Sequence, residues 1–513
     1  MKLKYLAVLI LLIGLFWRLY HIDFGLPQSF YADEPEISEP AIKYTYDMKS
    51  IIKNKDYFEL IPISYVYGTL PVYFMTASLM VFSRSLNILH IGFDKTTIFI
   101  FIRVLTALIS LGVVCVVGLI AKKHFANNTV FIGTLLLTAL NWKLIVHAHY
   151  ANADIILVLL LLISFYFTWK YDQVPNNQNL FLAALFFGFA VGTKVTALIS
   201  LPIYFYLILK KKDIYGVPGF IFSALISFIV TNPFSIIFFN DFSFRVFSML
   251  TKEGGMVFDS VDTSLFKYVY GLNAMVTFPI LALFIFGMIY KLHISPKKDF
   301  DIFLLANLVL YFVFFSIQSR RVDRWLLPIL PIIFMYAAYA FWLLTTRLKR
   351  FYQKTLLFSI VLAIYMINPV LLLTQFQRWT PKSAAYLWAK TNLPITATKL
   401  SYTEEGLDPM NKLPLATVIQ YPVYVAEEAQ LAYPLDPLNY TYVILSSRPM
   451  ENFKRPAVVN AYPNYANAWS NFEKTVQNPK YFALVKDFAL TKPNLIPLSD
   501  VFIYKQVSGA NLR

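Results

Sequence analysis

Asp33 and Glu34 stand side by side in Phe30-Tyr31-Ala32-Asp33-Glu34-Pro35, just past an apolar run of membrane-helix length, with Glu36 and Glu39 close behind. Carboxylates beside lipid are costly unless they are hydrated or used. One reading is a hydrated loop in which Asp33 caps a helix and Pro35 takes its first position. The other is a general base. A second acid, Asp154, follows His147-Ala148-His149-Tyr150 and opens another apolar run. Alone it reads as a helix cap or first-turn acid. Facing Asp33 across a cavity, it could orient a divalent metal or share the labour of base and positioning. Arg320, Arg321 and Arg324 offer planar donors suited to a phosphate held at an interface, or else pair with Asp323 or lipid headgroups. Lys194 could serve the same phosphate as a point charge, or snorkel to the interface. His147 and His149 share a face only in an extended segment. They lack the further ligands zinc needs, so both read as polar lining, with His149 the better site candidate.

These groups must be carried by membrane helices. Of 513 residues, 58% are hydrophobic and 14% charged, which marks a polytopic membrane protein. The aromatic share of 17% suits interfacial belts and sugar- or lipid-lined grooves. The net charge of +16 sits mostly in short loops between apolar runs. That is the positive-inside pattern and excludes a nucleic-acid reading. The single Cys115 excludes a disulfide framework. Met1–Tyr20 reads as an uncleaved first helix with a cytoplasmic N-terminus, not a signal peptide, because no small-residue cleavage site follows it.

Eleven transmembrane helices are expected. After the first come 97–120, 129–146, 155–169, two sharing 180–209, then 216–231, 268–290, 301–317, 326–345 and 355–374. Residues 70–90 are expected to lie at the outer interface, which leaves Lys122 and Lys123 inside. Asp33-Glu34, His147–Asp154, Lys194 and the arginines then converge on the outer face. No Gly-rich phosphate loop is present. The short inner loops leave no room for a soluble nucleotide, so a donor must arrive from the membrane or from outside. The transmembrane domain is read as 1–374. Residues 375–513 are read as a small extracytoplasmic α/β domain, with a helix at 384–390 and strands at 440–445, 481–485 and 501–507.

The chain resembles the GT-C superfamily of membrane glycosyltransferases. It is most similar to the prokaryotic branch of glycosyltransferase family 39, the protein O-mannosyltransferase and aminoarabinose-transferase group. The motifs are Tyr31–Pro35, Tyr67–Phe74, Arg103, His149–Asp154, Gly192-Thr193-Lys194, Thr231–Phe234 and Arg324–Pro331, in order over about residues 1–345. The resemblance implies a mainly α bundle with a juxtamembrane helix in the first outer loop. It also implies transfer of a sugar from a polyprenyl-phosphate donor, with inversion, to a glycan, lipid or protein acceptor. Asp33 would be the catalytic base. Arg324, with Arg321 or Lys194, would stabilise the leaving phosphate, and Glu34 and Asp154 would shape the pocket. No cofactor beyond the lipid carrier is implied, and metal dependence is left open. A transporter or lipid-sugar flippase is the alternative. Its usual internal repeats and midplane charges are not seen in the sequence.

Overall fold

The structure is a computed structural model. It describes residues 3–26, 33–62, 67–88, 94–251, 267–294, 299–318, 322–377, 379–403, 409–420, 431–496 and 498–507. The apolar runs become helices α1 (Leu3–Leu19), α2 (Pro35–Asn54), α3 (Leu70–Ile88), α4 (Lys95–Phe125), α5 (Asn128–Ala139), α6 (Trp142–Ala148), α7 (Ala153–Gln173), α8 (Asn177–Thr193), α9 (Leu201–Lys210) and α10 (Gly216–Thr231). Then follow α11 (Phe234–Ile237), α12 (Phe239–Thr251), α13 (Lys267–Val276), α14 (Phe278–Ile294), α15 (Asp299–Ser316), α16 (Leu330–Arg347) and α17 (Phe351–Gln375). Among the described residues, five helices are individually long and apolar enough to span a membrane, or up to seven if two bent pairs count as spans. The chain is a multi-pass membrane protein. Several of the eleven expected crossings are built from shorter or broken helices, and α3 is not among the span-length apolar helices.

The breaks have chemical causes. Between α5 and α6 the axis turns by 54°. Asn141 caps the new helix by accepting from the Leu144 amide at 3.1 Å and donates to Met275 O at 2.9 Å. The carbonyls left at the end of α5 are taken by Arg18, fully buried in α1, which donates to Ala139 O at 2.7 Å. Arg18 also reaches Gly14 O and Ser110 Oγ, both at 2.9 Å. A buried cation is thus met by carbonyl dipoles that would otherwise lack donors. The continuous helix expected over 268–290 is instead α13 and α14, bent by 103°. Thr277 adopts a left-handed φ of 69°, and Pro279 in the first turn of α14 has no amide to return to α13. The outer loop expected over 232–266 contains α11 and α12, helices that were not foreseen; its described part ends at Thr251.

Burial sorts the helices. Every residue from Leu330 to Ala340 of α16 is buried, so this helix is the bundle's axis. Gly287 of α14 has only 2.2 Å between an added Cβ and Tyr336 O, so α14 and α16 touch backbone to backbone. By contrast α17 shows most of its surface outward. At the end of the bundle where α4 and α7 finish, His124 Nε2 lies 2.7 Å from Asp301, and Lys211 bridges Asp172 and Asp299 at 2.7 and 3.1 Å.

Beyond α17 lies α18 (Pro381–Asn392) and a five-stranded sheet of β1 (Lys399–Thr403), β2 (Ala416–Gln420), β3 (Tyr442–Ser446), β4 (Phe482–Phe488) and β5 (Val501–Gln506). The order is β2-β1-β3-β5-β4, parallel among the first three and antiparallel at β5 and β4. Alternate residues of β3 enter two apolar clusters. Val443 and Leu445 meet Trp469 and Phe472 on one face, and Tyr442 and Ile444 meet Ala385 and Ala389 of α18 on the other. With both faces covered, β3 reads as an apolar run. The sheet region is tied to the bundle by Gln375, which donates to Thr491 O at 2.6 Å and accepts from the Leu495 amide at 3.0 Å.

Candidate active site

Two loops meet where α1 ends and α4 and α7 begin, and Arg103 holds them. This arginine lies in the third turn of α4 and is fully buried, as is its partner Glu34. Arg103 Nε and Nη2 donate to Glu34 Oε1 and Oε2 at 2.9 and 2.8 Å, a bidentate pair. Its Nη1 donates to Ile22 O and Phe24 O at 2.9 and 2.8 Å. Glu34 also accepts from the Ala151 amide at 3.2 Å. One ion pair therefore joins both ends of the α1–α2 connection, at Ile22–Phe24 and at Asp33-Glu34, to the loop before Asp154. Glu34, expected to shape the acceptor or sugar pocket, spends its carboxylate on this junction. Arg103 appeared in the sequence only as a motif match. A lone arginine inside an apolar span is the signal that a buried acid must meet it.

Asp33, next to this junction, is partly exposed. Arg324 Nη1 donates to Asp33 Oδ2. The same guanidinium has its Nε 3.7 Å from Asp154 Oδ2, and Lys194 Nζ lies 2.6 Å from Asp154 Oδ1. Asp33, Arg324, Asp154 and Lys194 thus form one chain of alternating charge. Asp154 is placed by Asn152, which caps α7 and accepts from the Asp154 amide at 2.7 Å. Lys194 is placed by a break, since the chain is extended at φ −158° between α8 and the next helical turn. Arg324 opens a short 3-10 segment, Asp323–Ile329, that leads into α16. Arg320 and Arg321 lie outside the described residues.

His149 does not line this cluster. Its ring stacks on Phe376 with centroids 3.8 Å apart, and its nitrogens lie 2.8 Å from Ile145 O and 2.9 Å from Tyr20 O. It is a buried packing residue that pins α6 to the end of α1. His147 is also buried, with Nδ1 3.0 Å from Asn152 Nδ2. As arranged, Asp33 and Asp154 hold cationic side chains and do not form an open cation cage. Among the described residues, no group of three or more His, Cys, Asp or Glu side chains gathers as a metal site.

Three of the sequence motifs form a latch behind Lys194. The Gly68 amide donates to Thr193 O at 3.0 Å, and the Thr69 amide donates to Asn232 Oδ1 at 2.7 Å. Asn232 Nδ2 donates to Gly192 O at 3.1 Å. The approach is so close that a Cβ on Gly68 would sit 1.9 Å from Gly192 O, and one on Gly192 would sit 2.4 Å from Thr231 Oγ1. Gly68→Ala is therefore expected to destabilise the protein by about 1–3 kcal/mol or more, because backbone must move to admit the methyl group. Thermal unfolding in detergent measures this; an unchanged midpoint would show that the latch is loose. Beside the latch is an apolar cavity of about 550 Å³ between α2, α3 and Pro233-Phe234, lined among others by Tyr44, Tyr73, Met80 and Ile237.

The sequence profile of the dolichyl-phosphate-mannose-protein mannosyltransferase family matches residues 76–237. No curated protein matches the sequence. Among solved structures, the chain is similar to ArnT from Cupriavidus metallidurans bound to undecaprenyl phosphate, at 13% identity and a TM-score of 0.55, over 98% of this chain and 97% of that one. It is also similar to the apo state of the same protein, at 13% identity and a TM-score of 0.53, over 97% of each chain. At this identity the likeness concerns the fold, and it runs through the C-terminal sheet as well as the bundle. Profile, fold and motifs point the same way: part of the chain is similar to the mannosyltransferase family, and the whole chain is similar in fold to ArnT.

Proposed function

We propose that this protein is a membrane glycosyltransferase. It moves a sugar from a polyprenyl-phosphate carrier to an extracytoplasmic glycan, lipid or protein hydroxyl or amine. The observation that carries the reading is the Asp33–Arg324–Asp154–Lys194 chain, set at one end of the bundle, with an apolar cavity next to the latch behind Lys194. Lys122, Lys123 and His124 lie in the last turn of α4, at its opposite end, which supports an extracytoplasmic site and a cytoplasmic N-terminus. By the same reasoning the sheet region is extracytoplasmic, and residues 1–374 and 375–513 are proposed as the catalytic and accessory domains.

The chemistry follows from the groups. Asp33 takes the acceptor proton as the acceptor atom bonds to the anomeric carbon from the face opposite the carrier. The bond from that carbon to the phosphate oxygen breaks, and its electron pair stays on the phosphate. Arg324 and Lys194 meet that growing charge, where preorganised cations act most strongly. Asp154 keeps both cations in place. The apolar cavity would accept the first isoprene units of the carrier, with the latch fixing it against Lys194. ArnT, similar in fold, is solved bound to undecaprenyl phosphate, which is in keeping with such a carrier.

The test is sugar release by the purified full chain in lipid nanodiscs. A panel of polyprenyl-phosphate sugars serves as donors, with membrane extract supplying acceptors. Donor-dependent transfer is expected from the wild type. Arg324→Ala is expected to lose carrier-phosphate binding by tenfold or more, the cost of removing a charged donor from a phosphate. Undiminished binding of undecaprenyl phosphate by Arg324→Ala would overturn the phosphate assignment.

A further inference from the structure

Both cations assigned to the donor phosphate already have carboxylate partners. Arg324 pairs with Asp33 and approaches Asp154 to 3.7 Å, and Lys194 pairs with Asp154 at 2.6 Å. Lys194 also lies 5.6 Å from the centre of the Tyr67 ring, so its ammonium is held from two sides. The cluster of two acids and two bases is neutral. It is also sheltered, since the four side chains are between 4% and 26% exposed. Opposite charges in such a setting interact far more strongly than in water. A phosphate that binds Arg324 therefore competes with Asp33 for the guanidinium.

We infer that Asp33 is the internal competitor of the donor phosphate and so sets donor affinity and binding order as well as acting as base. The inference rests on the glycosyltransferase reading. Before the donor arrives, Arg324 holds the Asp33 carboxylate in an ion pair. When the carrier phosphate takes Arg324, the Asp33 carboxylate is released toward the acceptor. The base is thus exposed only in the presence of its donor, and donor binds before acceptor. The same competition serves product release. Transfer leaves a phosphate monoester, which carries more negative charge than the diester donor and would hold Arg324 and Lys194 more tightly. Asp33 leaves the reaction carrying the acceptor proton. Once that proton is lost, the carboxylate regains Arg324 and displaces the spent carrier.

Glu36 makes the control. It lies near Asp33, and its carboxyl is raised above the usual range by burial first and by the Asp33 charge second. No ion pair joins it to Arg324 among the described residues.

Undecaprenyl phosphate is titrated against the full chain in nanodiscs, as wild type, Asp33→Asn, Asp154→Asn, Glu36→Gln and Arg324→Ala, each first shown to be monodisperse. Asp33→Asn is expected to bind about tenfold more tightly than wild type, the effect of removing one close competing charge. Asp154→Asn shifts in the same direction, and Glu36→Gln stays within about twofold. Equal or weaker binding by Asp33→Asn, with binding by wild type and loss in Arg324→Ala, would overturn the competition and leave the enzyme reading standing. Tighter binding by Glu36→Gln matching that of Asp33→Asn would also overturn it, reducing the effect to the general field. No binding by the wild type would remove the phosphate site, and with it both readings.

Discussion

Asp33→Asn is expected to cut kcat for sugar transfer by about 10²–10⁴-fold, the usual contribution of a positioned general base. The substitution keeps size and shape. Its amide oxygen can still accept from Arg324, so the loop is expected to keep its place while the side chain loses the ability to take a proton. The loss should fall on turnover and not on donor affinity, which the competition with phosphate predicts will rise. Initial rates at saturating donor, with detergent stability measured in parallel, check both halves. A kcat within threefold of wild type would remove Asp33 as the base and turn attention to Asp154, the other acid of the cluster. Asp154→Asn is expected to be milder in chemistry but to loosen Lys194, whose 2.6 Å contact loses its opposite charge.

The second large effect concerns stability. Arg103→Ala and Glu34→Ala each leave a fully buried charge without its partner. Breaking a buried pair from one side costs about 3–5 kcal/mol. Total stabilities run to about 5–15 kcal/mol, so either variant should show a sharp loss of folded yield and a lower unfolding midpoint in detergent. The double replacement Arg103→Met with Glu34→Met removes both charges and is expected to recover much of that stability. It should not recover activity. Without the guanidinium and the carboxylate, the carbonyls of Ile22 and Phe24 and the amide of Ala151 lose the groups that now join the two loops. A double variant as active as wild type would show that Asp33 is positioned by something else. Single variants as stable as wild type would show that water reaches the pair.

Much of the framework was legible along the chain. Segment length and hydropathy identify membrane helices because the bilayer demands about 20 apolar residues per crossing and internally paired backbone. Lys194 at a helix break and Asp154 in a first turn were both readable from neighbouring polar residues. The kink at Pro279 was the sort of feature that a hydropathy run hides, since a bent helix and a straight one have the same composition. α12 was missed for a related reason. Its apolar positions alternate with Asn240, Asp241 and Arg245, so no continuous run announces a helix.

The pairings were a different matter. Glu34 and His149 are polar residues in the right loops, and nothing local distinguishes them from Asp33. Only the folded chain shows that Glu34 turns inward to Arg103, while His149 turns to the carbonyls of Ile145 and Tyr20. Gly68 and Gly192 look like ordinary loop glycines until the two backbones are seen in contact. Asp33 and Arg324 are 291 positions apart, and their meeting depends on how α1, α7 and α16 pack. By itself, then, the sequence determined the membrane class, the mainly helical character and the acids and bases near the helix ends, because these follow from short-range hydropathy and charge. Which acid stays partly exposed and which is buried against Arg103 was decided by tertiary packing alone, because an ion pair depends on distance through space and on burial, and neither is written in local sequence.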